Sequence, residues 1–251
     1  MKESVKFMLR TSLGLGIFAA LMVVSPPVAL SQTIKFSGYE WEVRSSESGG
    51  PGPNAWKSEN VSVDSMGALH LKITKDAKGW SCAEITSKQK FHFGKYQFQV
   101  VGRIDKLDKN IVLGIFNYPT PDVGPDTTNE IDIEFARWGE QKNANGNFTI
   151  WPAIKDVHQT SKTFEFALEG DKTTHRFQWK RDQIKFQSLS GHRNDNQSEI
   201  SNFLFKPEKP LEAVPQKPLP FHFNLWLFSG RPPSDDKEVE IVIKSFKYEK
   251  L

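Results

Sequence analysis

The chain has 251 residues, a formal net charge of +3 and one cysteine, Cys82. Residues 1–31 carry three basic residues and one acidic residue, so residues 32–251 have a net charge near +1. A charge so close to zero argues against nucleic acid or an anionic membrane surface as the main partner. A lone cysteine cannot form an internal disulfide, and a chain of this length can bury a sizeable core without one.

Residues 1–31 have the pattern of a signal peptide. Lys2, Lys6 and Arg10 form a basic start, and an apolar run of 13 residues follows at positions 12–24. Such a run is too short to span a bilayer and has the length of a signal-peptide core. With cleavage after Ser31, the pattern predicts a secreted or periplasmic protein with no stable membrane insertion once the signal is removed. The alternative is a signal anchor that stays attached.

Strand patterns dominate residues 32–251, as short aromatic and β-branched runs bounded by turn residues. In chain order these runs are residues 68–74, 95–104, 111–118, 147–151, 174–180, 183–189, 221–228 and 238–249. The proline-rich residues 206–220 and the stretch 45–54 are predicted to be surface connections. Because no window has a sustained helical period, residues 32–251 are predicted to form one all-β domain, an antiparallel sandwich or barrel.

The sequence NEIDIEFARWG at residues 129–139 places three carboxylates on alternate residues. Because side chains of a strand alternate between its faces, Glu130, Asp132 and Glu134 share one face, and the apolar residues between them share the other. Like charges at neighbouring positions on one face repel, and no basic residue separates these three. The row is therefore a solvated face, a catalytic site or a cation site, and the pattern alone leaves all three open.

As a catalytic site, the row would supply the two carboxyl groups that cleave a glycosidic bond, one ionised and one protonated. Crowding of like charges raises the proton affinity of at least one member. At about 3.3 Å per residue, the backbones of Glu130 and Glu134 lie about 13 Å apart. The two carboxyl groups are about 5–5.5 Å apart in retaining enzymes and about 6.5–9.5 Å apart in inverting enzymes. Long side chains leaning inward close much of this gap, so spacing alone does not decide the stereochemistry.

EIDIEF at residues 130–135 resembles the active-site sequence of family 16 glycoside hydrolases, which include lichenases, laminarinases, agarases and xyloglucan transglycosylases. Segments at residues 60–74, 80–100, 174–191, 223–230 and 243–250 resemble lichenase-like segments in the same order. The resemblance implies a concanavalin-like β-jelly-roll of two curved antiparallel sheets, with sugar bound across the concave sheet. It also implies a retaining double displacement in which Glu130 is the nucleophile, Glu134 the general acid/base and Asp132 the assisting carboxylate.

The same resemblance implies a set of sugar contacts, in which polar side chains bind hydroxyl groups and aromatic rings stack on the sugar. The implied contacts are Glu84, Phe116, Tyr118, Trp138, Asn147, Thr149, Trp151, Asn224 and Trp226. For each aromatic residue the alternative is an ordinary core position, although alternation with polar neighbours favours the groove for Trp151 and Trp226. Arg137 and Trp138 open a long loop that would form a rim.

Several positions depart from the lichenase pattern. Thr86 stands where many lichenases have Arg, Thr149 stands where they have Asn, and Thr128 and Asn129 stand where an aromatic residue often precedes the acids. These changes leave the acids intact and fall on positions that would face the substrate. A β-1,3- or mixed-linked β-glucan is the favoured polysaccharide, and the linkage stays open.

The predicted enzyme is thus a retaining, endo-acting O-glycosyl hydrolase and a monomer, with a polysaccharide substrate, no nucleic-acid partner and no cofactor in the chemistry. Family members often hold a structural Ca²⁺ away from the groove, but no residue is assigned to it. The six histidines form no cluster with metal-ligand spacing and are assigned to structural or surface positions. The alternatives are a transglycosylase on the same scaffold and a non-catalytic carbohydrate-binding module, which would not require all three acids.

Overall fold

The computed structural model describes Gln32–Leu251, and the predicted signal peptide lies outside the described residues. Within this range the chain forms strands joined by turns and loops, with one short α-helix, α1 (Pro210–Ala213). None of the helices in the described part of the chain has the length and apolar character needed to cross a membrane.

Eight antiparallel strands form the first sheet, with each strand hydrogen-bonded to the next. From one edge to the other they are β1 (Gln32–Phe36), β2 (Tyr39–Val43), β7 (Gly79–Phe91), β16 (Leu219–Leu227), β9 (Ile111–Asn117), β10 (Glu130–Phe135), β11 (Gly146–Trp151) and β12 (Thr160–Phe164). The acidic row is on β10, so it lies inside the sheet, where neighbouring strands fix its register.

Seven antiparallel strands form the second sheet. In order they are β5 (Val61–Val63), β6 (Leu69–Asp76), β17 (Val239–Lys250), β8 (Gly94–Val101), β13 (Lys172–Trp179), β14 (Ile184–Ser190) and β15 (Glu199–Phe205). The hairpin between β6 and β7 links the two sheets.

The core lies between the two sheets and is built from the inward-facing residues of both. On β10 the apolar residues Ile131, Ile133 and Phe135 are fully buried. Phe148 of β11 stacks on Phe186 of β14, with ring centroids 5.0 Å apart, so side chains from the two layers interdigitate. The arrangement confirms the predicted all-β sandwich with the jelly-roll architecture.

Two predicted surface connections contain some regular structure. Residues 45–54 hold β3 (Ser46–Gly49), which pairs antiparallel with β4 (Asn54–Trp56), and β4 also pairs parallel with β7. The prediction of a plain loop there was wrong, because backbone pairing organises residues whose side chains carry no strand pattern. Residues 206–220 include α1 and the first two residues of β16, and otherwise form a connection as predicted.

Candidate active site

The acidic row lies on the outer face of the first sheet, between β9 and β11. Glu130, Asp132 and Glu134 all line one groove, which confirms that they share a face. Asp132 is only 2% exposed, whereas the two glutamates are partly exposed. The row is therefore not an ordinary solvated face, because its middle carboxyl group is removed from water.

The groove has a volume of about 600 Å³ and combines aromatic rings with polar side chains. Its lining comprises Phe116, Tyr118, Trp138, Trp151 and Trp226, the acids Glu84, Asp126, Glu130, Asp132 and Glu134, and Arg44, Gly50, Pro51, His222 and Asn224. Flat rings pack on the C–H faces of sugars and polar groups bind their hydroxyls, so this composition suits a carbohydrate. A larger cavity of about 770 Å³ lies over the second sheet, but Glu249 is the only acid in its lining and it offers no carboxyl pair.

Two of the acids accept hydrogen bonds from β11. Asn147 Nδ2 donates to Glu134 Oε2 at 3.0 Å, and Trp151 Nε1 donates to Asp132 Oδ2 at 3.1 Å. The register of the sheet brings these groups together, because Glu134 lies directly opposite Asn147 and Glu130 lies opposite Trp151. The carboxyl groups of Glu130 and Asp132 also hydrogen-bond each other, which requires that the pair hold a proton.

Burial raises the pKa of all three acids. It raises the pKa of Glu134 to about 7, despite the opposing hydrogen bond from Asn147. Burial, followed by the charges of Glu130 and Glu134, raises the pKa of Asp132 well above its usual value. Burial, together with the charge of Glu134, raises the pKa of Glu130 to about 8, although the hydrogen bond from Asp132 acts in the opposite direction, so the Glu130–Asp132 pair keeps a shared proton at neutral pH. Because Asp132 is the least exposed of the three, the shared proton belongs on Asp132 and the negative charge on Glu130.

Glu84 lies on β7, two strands beyond β9, within a network of polar side chains. Arg44 Nη1 donates to Glu84 Oε2 at 2.7 Å, and His222 Nδ1 lies 3.1 Å from Glu84 Oε1 and 3.0 Å from Thr86 Oγ1. Burial raises the pKa of Glu84, but the hydrogen bonds and charges of His222 and Arg44 outweigh it, so the pKa lies below its usual value. Glu84 is therefore an ionised, oriented acceptor at the groove wall.

A glycine on β9 makes room for one of these polar groups. Gly114 lies opposite Glu134 on one side and opposite Asn224 on the other. A Cβ atom at Gly114 would lie 2.4 Å from Asn224 Oδ1, which is closer than such atoms approach. The missing side chain thus lets Asn224 fold over the sheet next to the acids.

Seven of the nine predicted sugar contacts line the groove, namely Glu84, Phe116, Tyr118, Trp138, Trp151, Asn224 and Trp226. Asn147 and Thr149 share a face of β11 with Trp151 but do not line the groove. Asn147 contacts Glu134, and the Thr149 hydroxyl lies 2.9 Å from the Ser161 hydroxyl on β12. Arg137, proposed as part of the rim, instead pairs with Glu165 at 2.7 Å.

The groove also contains residues that the sequence patterns missed. His222, which was assigned with the other histidines to a structural or surface position, lines the groove, and its alternation with Asn224 and Trp226 could have placed it there. Asp126, whose Oδ1 accepts a hydrogen bond from Tyr118 Oη at 2.6 Å, and Arg44 had no such signal. Arg44 directly follows β2, which pairs with β7, and Asp126 lies in the loop between β9 and β10, so neither position is specified by a local sequence pattern.

No three His, Cys, Asp or Glu side chains between Gln32 and Leu251 are grouped so as to hold a metal ion. The calcium ion that the resemblance implies is therefore not assigned to any residue.

The family model of glycosyl hydrolases family 16 matches residues 53–236, a span that contains the acidic row and most of the groove. The chain belongs to glycosyl hydrolases family 16. This confirms the resemblance drawn from the acidic row, and the protein is an O-glycosyl hydrolase. Hydrolases of this family need no cofactor for catalysis.

Individual relatives of this family 16 chain agree with that placement. A protein of Bacillus subtilis (strain 168) named Beta-glucanase is 28% identical over 191 residues, which are 73% of this chain and 75% of that protein. The structure of a Bacillus licheniformis beta-glucanase is similar with a TM-score of 0.62 at 21% identity, covering 84% of this chain and 92% of that one. A laminarinase from Flavobacterium sp. UMI-01 gives a TM-score of 0.63 at 17% identity, covering 84% and 93%. At these identities the two structures show the shared fold.

Proposed function

We propose that this family 16 hydrolase is an exported endo-β-glucanase that cleaves internal bonds of a β-1,3- or mixed-linked β-glucan with retention of configuration. The observation that carries the proposal is the row of three carboxyl groups on the floor of an aromatic groove. The beta-glucanase and laminarinase names of the relatives support a β-glucan as the substrate class.

In the first step Glu130 acts as the nucleophile. Its carboxylate forms a bond to the anomeric carbon of the bound sugar, while the bond from that carbon to the glycosidic oxygen breaks. Glu134 donates its proton to the departing oxygen, so the leaving sugar departs as a neutral alcohol. The raised pKa of Glu134, about 7, supports this role because the group still holds its proton near neutral pH.

In the second step Glu134, now ionised, takes a proton from water. The water oxygen forms a bond to the anomeric carbon, and the ester bond to Glu130 breaks. Glu130 regains its negative charge and Glu134 regains its proton, so one water molecule is consumed for each bond cleaved. Two displacements at one carbon leave its configuration unchanged.

Asp132 supports the nucleophile by holding the shared proton. In this state its carboxyl group donates to Glu130, which keeps one oxygen of Glu130 oriented and directs the charge to the other. The Trp151 indole also holds Asp132 through the 3.1 Å hydrogen bond. Trp151 therefore has two functions, since its ring also lines the groove where a sugar would stack.

The test is a screen of the purified chain against laminarin, lichenan, barley β-glucan, xyloglucan, agar and carboxymethyl cellulose. We expect new reducing ends from laminarin or the mixed-linked glucans, with medium-sized oligosaccharides as early products because the cleavage is internal. The Glu134→Gln variant should release none. With an oligosaccharide added as acceptor, products longer than that acceptor would favour the transglycosylase. Binding to all six polymers without cleavage would refute the enzyme assignment.

Export is part of the same proposal and rests on the pattern of residues 1–31. A basic start, a short apolar run and the small residues Ala29 and Ser31 before the expected cut are the pattern of a cleaved signal peptide. A polysaccharide too large to enter a cell requires an enzyme outside the cytoplasm, which is consistent with secreted or periplasmic action.

A further inference from the structure

We propose that His222 is a substrate-binding residue that helps to select the sugar lying over β9 and β16. The proposal rests on the proposed function, because it assumes a glucan in the groove. In the sheet His222 lies directly between Phe116 of β9 and Thr86 of β7. With strands about 4.8 Å apart, its backbone is about 10 Å from that of Asp132, within reach of a sugar beside the cleaved bond.

The imidazole ring is held in one orientation by its surroundings. It stacks on the Phe116 ring with centroids 4.9 Å apart and an interplanar angle of 20°. The Nδ1 atom is shared between Glu84 and Thr86, as described above. Because ionised Glu84 can only accept hydrogen bonds, Nδ1 carries a proton and donates it. Because Nδ1 and the ring face are both held, the position of the Nε2 atom on the opposite edge of the ring is fixed as well.

The Nε2 atom on that opposite edge is buried and has no hydrogen-bond partner among the described residues. Asn224 Oδ1, two residues further along the same face of β16, is in the same condition. Buried polar atoms without partners are rare, because each loses its hydrogen bonds to water without replacement. Two such atoms on alternate residues of one strand, both on the groove floor, mark a place where a ligand supplies the partners.

A sugar hydroxyl suits Nε2 because it can both donate and accept. The His222 side chain is 11% exposed and lines the groove, whereas its Nε2 atom is buried. A small displacement of the ring toward the sugar would bring Nε2 within hydrogen-bond distance. The regained hydrogen bond would offset the cost of this movement.

The contact also accounts for one departure from the lichenase pattern. Thr86 stands where many lichenases have Arg, and it lies directly opposite His222 of β16, whose Nδ1 is 3.0 Å from the Thr86 hydroxyl. A guanidinium offers several donors, whereas this imidazole offers the single Nε2 atom. The Thr86–His222 pair would therefore prefer a different arrangement of hydroxyls from the lichenase arginine.

The experiment separates the two ring nitrogens with two substitutions. In His222→Asn the side-chain amide replaces the Nδ1 end, which preserves the contact to Glu84 and removes the groove end. In His222→Gln the longer side chain places an amide near the position of Nε2. His158→Asn is the matched control, since it makes the same substitution at an exposed site outside the groove.

Hydrolysis of laminarihexaose and a mixed-linked hexasaccharide gives kcat and KM, and calorimetry in a Glu134→Gln background gives Kd for the same sugars. We expect His222→Asn to raise KM and Kd about tenfold, which corresponds to about 1.4 kcal/mol. We expect kcat to change less than KM, and His222→Gln to raise KM and Kd less than His222→Asn does. The His158→Asn control should match the unsubstituted chain, and thermal unfolding of each variant verifies folding.

The proposal would be overturned if His222→Asn and His222→Gln changed KM and Kd equally. A loss in kcat without a change in KM or Kd would also overturn it. In either case His222 would only orient Glu84. Cleavage by the unsubstituted chain together with an unchanged Kd in His222→Asn would refute the His222 contact and leave the glucanase proposal standing. Sugar binding without cleavage, weakened by His222→Asn, would refute the glucanase and support the contact. Sugars that are neither bound nor cleaved would overturn both.

Discussion

Replacing Asn147 with Leu should shift the alkaline limb of the kcat/KM profile to higher pH. In the proposed mechanism Glu134 is the general acid and must hold its proton, so activity falls as pH rises through its pKa of about 7. The Asn147 amide stabilises the ionised form through a 3.0 Å hydrogen bond, and it is the one group that lowers this pKa. Its removal therefore raises the pKa, and the enzyme stays active at higher pH.

The magnitude follows from the strength of that bond. A hydrogen bond to a charged group contributes about 1.5–3 kcal/mol, and the partial exposure of Glu134 favours the lower end. Since about 1.4 kcal/mol corresponds to one pH unit, the limb should move up by about one unit. Leu has the same branched skeleton and number of heavy atoms as Asn, so the substitution removes the donor while keeping a similar side-chain shape.

The assay is initial-rate hydrolysis of a glucan oligosaccharide across the pH range in which the variant remains folded. Thr149→Val is the matched control, because Thr149 accepts from the same Asn147 amide at 3.1 Å without touching Glu134. The control should leave the alkaline limb in place. An alkaline limb that stays fixed or moves to lower pH in a folded Asn147→Leu variant would refute the assignment of Glu134 as the acid.

Three further predictions concern the groove, the core and the export segment. Gly114→Ala should raise KM, because its Cβ would lie 2.4 Å from Asn224 Oδ1 and displace that side chain, and an unchanged KM would contradict this. Burial lowers the pKa of His175 to about 3, below its ordinary value of about 6.5. Between about pH 6.5 and pH 3 the unfolded chain binds a proton at this histidine and the folded chain does not. The fold therefore loses about 1.4 kcal/mol of stability per pH unit as pH falls through this range. Urea unfolding at pH 6 and pH 4 should thus show a smaller pH-dependent loss in His175→Gln than in the unsubstituted chain, and equal losses would argue against the effect. The exported protein should begin at Gln32 by mass spectrometry, and an intact start at Met1 would indicate that the signal is retained.

The alternation of β10 made the acidic face predictable before the structure. A two-residue period alone puts Glu130, Asp132 and Glu134 on one side, and no tertiary information is needed for that statement. The same rule applied to β16 places His222 with Asn224, although the histidine was assigned elsewhere.

Strands at the sheet edges were less predictable than those in the interior. The edge strand β12 reads TSKTF, with polar residues on both faces, because only part of it contacts the core. The first strand, β1, begins with exposed polar residues for the same reason. In an interior strand such as β9 most side chains are buried, so the sequence there is a nearly continuous apolar run, which predicts a buried strand.

Long-range contacts to the site could not be inferred from local patterns. Arg44 reaches Glu84 because β2 pairs with β7, although the two residues are 40 positions apart. Asp126 reaches Tyr118 through an irregular loop. In both cases the partner is chosen by sheet pairing and loop path, which residue type and spacing do not specify.

The most direct test of the central claim is azide rescue of the two glutamate variants with an activated aryl β-glucoside oligosaccharide. An activated leaving group needs no acid, so the products report on the base and the nucleophile separately. With Glu130→Ala, azide should occupy the vacated nucleophile position and give the inverted α-glycosyl azide. With Glu134→Ala, azide should attack the intermediate on Glu130 and give the retained β-glycosyl azide. The opposite pairing of anomers, as determined by proton NMR, would contradict the assigned roles of Glu130 and Glu134.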